Sequence, residues 1–253
     1  LGKPNPKEAV KWYRQAAELG YVFSQRNLAL HLFKGEGVEA NVAEAFSWML
    51  KAAESGDAFA QNFVGNRFSD GRGVEADEAQ AVGWFRKAVE QGQLHAQYNL
   101  AVRLRDGRGA EANLAAAREL FGKAAENEMA SAQFAIAQMW AAGEGGEKDE
   151  VNATQWFRKA AEQGEPHGQC HLALCLRESD SPEKDLAAAR DLLEQAAGHG
   201  LATAQFALGE MCAAGEGGAV SLPIGGVLDS RRHVVAAQRL QRLQASRLAL
   251  TAP

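Results

Sequence analysis

Apolar and small side chains recur along the chain with the spacing of amphipathic helices. Within residues 41–76 one set falls at i, i+3, i+4, i+7 and i+8, and its members are Ala45, Trp48, Met49, Ala52 and Ala53. This spacing places one apolar stripe on a helix. A second set follows Gly56, and its members are Ala60, Val64, Gly65 and Phe68. No alternation of period two is present, so the pattern predicts two helices, named helix A and helix B, joined by a tight turn.

The whole pattern returns every 36 residues. One position of helix A holds tryptophan or leucine: Trp12, Trp48, Trp84, Leu120, Trp156 and Leu192. One position of helix B always holds glutamine: Gln25, Gln61, Gln97, Gln133, Gln169 and Gln205. Paired glycines follow helix B in most copies: Gly35 and Gly37, Gly71 and Gly73, Gly107 and Gly109, Gly143 and Gly145, Gly215 and Gly217. A fixed period of this size, unbroken from residue 5 to about residue 218, is typical of stacked repeats.

A residue that can cap a helix precedes every helix A: Asn5, Asn41, Asp77, Asn113, Asp149, Asp185 and Ser221. In the second copy, Glu44 completes a capping box. We therefore predict an all-α solenoid of six helix-turn-helix repeats within residues 5–220. Their approximate bounds are 5–40, 41–76, 77–112, 113–148, 149–184 and 185–220. Residues 221–253 break the pattern and are predicted to form an irregular linker and a basic C-terminal helix that could cap the array.

The repeated columns also predict how the helices pack. A small residue recurs on helix B: Ala29, Gly65, Ala101, Ala137, Ala173 and Gly209. Helices approach closely only where side chains are this short, so we expect the tryptophan column to fill the core beside them. The glutamine column is expected to hydrogen-bond backbone groups between repeats. Such a stack is predicted to wind into a right-handed superhelix with a concave and a convex face.

The repeated motif resembles that of a known family. It is A-x-x-W-[FYM]-x-x-A-A-x-x-G, then A-Q-x-x-[LV]-[AG], then G-x-G-[VA]-x-x-[ND], and residues 81–113 match it almost throughout. The chain resembles the Sel-one-like repeat (SLR), a relative of the tetratricopeptide repeat, over about 215 of its 253 residues. Departures are local. Glu128 stands where other copies have glycine, and residues 179–182 replace the glycine loop.

The resemblance implies a non-catalytic scaffold or adaptor that binds a protein or peptide in a concave groove lined by the A helices. A cysteine-rich bacterial branch of the family, associated with β-lactam binding and hydrolysis, carries a regular cysteine pair in each repeat. In this chain the cysteines are Cys170, Cys175 and Cys212, so the first four repeats have none. The enzyme alternative is therefore disfavoured, and we expect neither catalytic residues nor a cofactor.

Charge narrows the class of partner. Net charge is −5, but residues 1–220 carry 22 bases and 31 acids, whereas residues 221–253 carry five arginines and Asp229. An acidic body disfavours nucleic acid as the partner, because phosphate binding needs clustered Lys and Arg. No apolar run reaches the roughly 18 residues of a membrane-spanning helix, so no direct insertion is expected. The odd cysteine count mildly favours a reducing intracellular compartment, and a start at Leu1 fits a missing native N-terminus.

Two further patterns have known chemistry. Segments such as residues 35–40 match the dinucleotide motif G-x-G-x-x-A, but they follow helices instead of strands and recur at the repeat step, which argues against that function. His167, His171 and Cys175 lie at i, i+4 and i+8 of one helix B, a spacing that can bind zinc. Equivalent positions of the other repeats share no ligand pattern, so the alternative is a variable surface column, and we assign no metal site.

Residues that build the stack repeat, so specificity is expected where the repeat varies. On helix A a pair at i and i+4 outside the core stripe differs between copies. From it we select six candidate partner-binding residues: Arg14, Phe46, Leu50, Val82, Arg86 and Arg158. They predict a groove that suits an extended or helical peptide with an apolar anchor and acidic flanks. The alternative is an ordinary solvated helix face, and the array is expected to be monomeric.

Overall fold

The computed structural model describes residues 4–178 and 185–217. This part of the chain consists of twelve α-helices of 13 residues each and contains no strand. In chain order they are α1 Pro6–Glu18, α2 Val22–Lys34, α3 Val42–Glu54, α4 Ala58–Asp70, α5 Glu78–Glu90, α6 Leu94–Asp106, α7 Leu114–Glu126, α8 Ala130–Ala142, α9 Glu150–Glu162, α10 Pro166–Glu178, α11 Leu186–Gly198 and α12 Ala202–Ala214. Odd-numbered helices are the A helices and even-numbered ones the B helices, so the all-α fold class is confirmed. The linker and basic helix predicted at 221–253, with the cap Ser221, lie outside the described residues.

The chain forms two compact units. The first, Leu1–Glu165, contains α1 to α9, and the second, Pro166–Pro253, contains α10 to α12 in its described part. Within each unit, every helix packs against the next one along the chain. In the first unit a B helix packs more extensively against the A helix that follows it than against the A helix before it. Neighbouring repeats are therefore joined at least as closely as the two helices of one repeat.

The A helices begin at the predicted capping residues. The Asn41 side chain accepts a hydrogen bond from the Glu44 backbone N–H at 3.0 Å. The same contact three residues ahead is made by Asn5, Asp77, Asn113, Asp149 and Asp185. Since the first N–H groups of a helix have no partner inside it, these contacts supply one. Among the described residues, Glu128 is the non-glycine with positive φ, at 62°, where other repeats have glycine.

A close approach to the backbone explains the second glycine of four loop pairs, Gly37, Gly109, Gly145 and Gly217. Gly109 has a φ of 72°, and a Cβ at this position would overlap the carbonyl group of Glu78 in the first turn of α5. The loop after α6 therefore rests directly on the start of α5, the A helix of the same repeat. A side chain is excluded both by the backbone conformation and by the lack of space.

Phenylalanine, and not tryptophan, fills the space beside the small residue Gly65. A Cβ on Gly65 of α4 would lie 2.6 Å from the ring of Phe85 in α5. Phe85 is fully buried, whereas Trp84 is half-buried at the edge of the core and has Lys87 Nζ 4.1 Å from its ring centroid. The predicted packing of the tryptophan column is therefore wrong at this contact. Adjacent helix residues lie about 100° apart around the axis, so only one of the two can face Gly65, and that residue is Phe85.

The glutamine column is hydrogen-bonded, but in a different way from the one predicted. Gln61 Nε2 donates to the carbonyl oxygen of Ala53 at 3.2 Å, inside the same repeat. Gln61 Oε1 accepts a hydrogen bond from Gln91 Nε2 of the next repeat at 2.8 Å. Gln133 forms the equivalent contact with Gln163 at 2.7 Å. The predicted backbone bond between repeats is therefore wrong. The backbone bond joins the two helices of one repeat, and paired side-chain amides join the second repeat to the third and the fourth to the fifth.

Candidate functional site

The six candidate residues lie on α1, α3, α5 and α9, all within the first unit. Two repeating positions of the A helices, one turn apart, contain them, and α7 adds Arg118 and Gly122 at the same positions. We call the surface at these positions the A-helix face. Its accessible members in the first unit are Arg14, Phe46, Leu50, Arg86, Arg118, Gly122, Thr154 and Arg158, whereas Val10 and Val82 at the same positions are buried.

Arg14 is already neutralised inside the protein. Its guanidinium forms an ion pair with the carboxylate of Glu44 in the next A helix. Trp48 Nε1 donates a hydrogen bond to the same carboxylate at 3.3 Å. The hydrogen bond from Arg14 holds the pKa of the Glu44 carboxyl below its usual range, against the opposing effect of burial. Arg14 therefore joins the first two repeats and offers little net positive charge to a partner.

Phe46 and Leu50 are half-buried and lie one turn apart on α3. Both pack against the apolar cluster around Met49 and Val64. The Phe46 ring meets the Phe68 ring edge-on, with 6.2 Å between centroids. Each side chain thus has one side fixed by the core and one side open to solvent. A partner that covers them would bury apolar surface at little cost in side-chain entropy.

Val82 does not belong to an accessible surface. Its side chain is 4% exposed and is part of the core formed by α5 to α8. The sequence pattern put this residue outside the apolar stripe of helix A. The neighbouring helices nevertheless cover Val82, so this residue contributes to the core and cannot contact a partner.

Arg86 and Arg158 carry the accessible positive charge of the A-helix face. Both are exposed, and neither forms an ion pair with a residue that the structure describes. Gly122 occupies the equivalent position on α7, and a Cβ added there would meet no atom within 4 Å. Between the two arginines, α7 therefore presents no side chain at this position. Guanidinium groups in this setting bind carboxylates through paired hydrogen bonds.

Arg118 is a member of the A-helix face that the six candidates did not include. Its guanidinium carbon lies 3.4 Å from the ring centroid of Trp140 on α8. Its Nη1 donates to the carbonyl oxygen of Glu147 at 3.2 Å. Stacking and hydrogen bonding hold the loop after α8 against α7. A signal was present in the sequence, because the other repeats have no tryptophan at the position of Trp140.

The zinc alternative gains no support from the geometry. In the described parts of the chain, no three His, Cys, Asp or Glu side chains lie together as a possible ligand set.

None of the twelve described helices is both long and apolar enough to cross a membrane.

Short antiparallel helices that recur every 36 residues and pack on their chain neighbours define an all-α repeat protein of the tetratricopeptide-like class. The sequence model of the Sel1 repeat matches residues 2–21, 22–57, 58–93, 94–128, 130–165, 166–201 and 202–221. The chain belongs to the Sel1 repeat family, and its fold class is the α-α superhelix of that family. Each full match begins with a B helix and ends with the A helix that follows it.

Two solved structures are similar to the chain. A protective antigen present in uropathogenic Escherichia coli strains, with an SLR fold, is 36% identical at a TM-score of 0.75, over 81% of this chain and 44% of its own. A Sel1 repeat protein from Oxalobacter formigenes is 32% identical at a TM-score of 0.75, over 94% of this chain and 70% of its own. The chain thus spans less than half the length of the antigen. No curated protein gives a match. Sel1 repeat proteins are generally non-catalytic scaffolds that mediate protein–protein interactions.

Proposed function

We propose that this chain is a non-catalytic interaction scaffold and that the A-helix face of its first unit binds a segment of a partner protein. A difference between the repeated positions and the variable positions supports the proposal. Gln61 and its equivalents use their amide groups inside the stack. Arg86 and Arg158, by contrast, keep charges that no described residue neutralises, and Leu50 keeps a half-exposed apolar side chain. Such groups contribute binding energy when a partner covers them.

The arrangement narrows the chemistry of the partner segment. An apolar anchor fits against Phe46 and Leu50 on α3. Because Glu44 already neutralises Arg14, the acidic residues of the partner are expected on one side of the anchor only, towards Arg86 and Arg158. A segment with acids on both sides of its anchor, as the sequence alone predicted, would meet Glu44 at one end. The favoured partner is an extended or helical segment with one apolar and one acidic end.

Affinity capture with chemical crosslinking and mass spectrometry tests the location of the site. Wild-type protein is compared with Leu50→Asp, which places a charge at the proposed anchor. Val151→Asp is the matched control, since Val151 is an exposed apolar residue outside the A-helix face. Partners crosslinked to α3 and α5 should be lost from Leu50→Asp and retained by Val151→Asp, with both variants folded by circular dichroism. Full retention of those partners by folded Leu50→Asp would refute the assignment.

The proposal includes no catalytic role. Cys170 is buried, its thiol donates to the hydroxyl group of Thr203 at 4.0 Å, and burial raises the pKa of this thiol. A protonated, buried thiol is a poor nucleophile. A chromogenic β-lactam should show no turnover above that of a heat-inactivated sample. Turnover above that level would overturn the non-catalytic assignment.

A further inference from the structure

A second accessible surface lies at the turn between helix A and helix B in the first two repeats. Four large apolar side chains are exposed there, and we call them the aromatic patch: Leu19 is 89% exposed, Tyr21 58%, Phe23 52% and Phe59 41%. The equivalent positions of the third repeat are the polar residues Gln91, Gln93 and His95. Large apolar side chains that are exposed together, and not scattered singly, often mark an interaction site.

The patch is continuous across the two repeats and already holds one cation. The rings of Tyr21 and Phe23 meet edge-on with 5.8 Å between centroids. The guanidinium carbon of Arg26 lies 5.2 Å from the Phe23 centroid and 5.7 Å from the Phe59 centroid. Its Nη1 is 2.8 Å from the carboxylate of Asp57. The Phe23 and Phe59 rings thus already accept one guanidinium group within the chain.

The charge beside the patch is negative. Glu18 and Glu54 directly precede the two turns, are exposed, and form no ion pair with a described residue. Residues 18–23 and 54–59 contain no Lys or Arg. Glutamates continue at the same position of the later repeats: Glu90, Glu126 and Glu162. Asp57 is neutralised by Arg26, so the remaining charge available to a partner is that of the glutamates.

We infer that the aromatic patch binds a cationic segment of a partner protein, one in which Lys or Arg side chains alternate with apolar residues. The ring of Tyr21 and the ring faces of Phe23 and Phe59 that Arg26 does not cover accept the cations, and Glu18 and Glu54 provide the opposite charges. Leu19 supplies the apolar contact. A two-fold contact with a second copy would bring the glutamates of both copies together, which disfavours self-association. This site shares no residue with the A-helix face and does not depend on it.

Fluorescence anisotropy with a defined probe tests the inference. The probe is a short fluorescein-labelled peptide of alternating arginine and leucine, and the charge control has glutamate in place of arginine. Wild-type protein is compared with Phe23→Ala/Phe59→Ala and with Glu18→Gln/Glu54→Gln. Phe206→Ala is the matched control, because Phe206 is as exposed as Phe59 but lies in the second unit. All replaced residues are at the surface, and circular dichroism verifies the fold.

The arginine peptide should bind wild type and Phe206→Ala equally and saturably. Binding should weaken by about tenfold in Phe23→Ala/Phe59→Ala, and its salt dependence should decrease in Glu18→Gln/Glu54→Gln. Equal binding by the phenylalanine variant, or equal binding of the glutamate peptide, would overturn the inference. So would a dimer in analytical ultracentrifugation that dissociates on Phe23→Ala/Phe59→Ala, because a second copy would then occupy the patch.

Discussion

At the scale of single residues, the side-chain hydrogen bond between successive repeats depends on amide side chains that are long enough to reach each other. Gln91 reaches Gln61, but the equivalent of Gln91 is Ser55 in the second repeat and Asn127 in the fourth. Asn127 donates instead to the carbonyl oxygen of Lys123 at 2.8 Å. Correspondingly, the buried Oε1 atoms of Gln25 and Gln97 have no hydrogen-bond partner among the described residues. The amide of Asn127 is one methylene shorter than that of Gln91, and Ser55 has no amide at all, so the buried acceptor at these two positions is left without its donor.

Replacement of these residues should change stability in opposite directions. Gln91→Ser leaves Gln61 Oε1 buried without a donor and should lower the free energy of unfolding by about 1–2 kcal/mol. Ser55→Gln can supply the missing donor to Gln25 and should raise it by about 1 kcal/mol or less. Urea titrations followed by circular dichroism measure both. Gln155→Ser, at an exposed position of α9, is the control for the same substitution where the glutamine is outside the amide pairs. Unchanged midpoints for both Gln91→Ser and Ser55→Gln would contradict the role of the amide pairs.

At the scale of helices, the sequence predicts where each helix begins and ends. It does not predict which faces of neighbouring helices pack against each other. Asn41 and Gly71 mark a start and an end because capping is a local property. Trp84 and Phe85 are neighbouring apolar residues, and the choice between them depends on which face α5 turns towards α4. A periodic pattern gives the width of the apolar stripe but does not give that orientation. The burial of Val82 was missed for the same reason.

The Gly65 contact gives a paired test of this packing. Gly65→Ala should destabilise the protein by about 1–3 kcal/mol, because its Cβ would lie 2.6 Å from Phe85. Gly83→Ala, in a helix position with no atom within 4 Å, should instead stabilise by about 0.5–1 kcal/mol. Thermal unfolding measures both changes. In a protein that already carries Phe85→Leu, and so lacks the ring, Gly65→Ala should destabilise the fold by less than it does in the wild type. Equal effects of the two alanines would show that the helices do not approach at Gly65.

The capping aspartates should make the helices sensitive to acid. Backbone hydrogen bonds from Gln80 and Asn152 lower the pKa of the Asp77 and Asp149 carboxyls from their usual value of 3.8. A lowered folded-state pKa means that the stabilisation is complete above the unfolded-state pKa and is lost as pH falls through the folded-state pKa. Asparagine keeps the capping oxygen, as Asn41 shows, but has no proton to bind.

Asp77→Asn/Asp149→Asn should therefore lose less stability than wild type between neutral pH and the strongly acid range. Thermal midpoints across that range, measured at constant ionic strength, provide the check. Parallel curves for the two proteins would exclude a contribution of these caps to the acid sensitivity.

At the scale of the whole molecule, the first unit carries two surfaces of opposite charge. The A-helix face presents Arg86 and Arg158 beside an apolar anchor, and the aromatic patch lies beside Glu18 and Glu54. The net charge of −5 is a sum over the whole chain, so it does not show that the two surfaces differ in charge. Because the residues that build the stack recur in each repeat, each surface can vary without loss of the fold. The sequence indicated the first surface through the residues that fail to repeat. It could not show that Glu44 neutralises Arg14, since that depends on how α3 lies against α1.

The most direct test of the A-helix face is the affinity of the captured partner segment, measured by isothermal titration calorimetry. Arg86→Glu/Arg158→Glu reverses the accessible charge, and Arg72→Glu makes the same change at an exposed loop residue outside the face. The account predicts binding weakened by about tenfold or more, or about 1.4 kcal/mol, in the double variant, with less effect at high salt and no change in Arg72→Glu. Equal affinity of wild type and the double variant at low salt would contradict it.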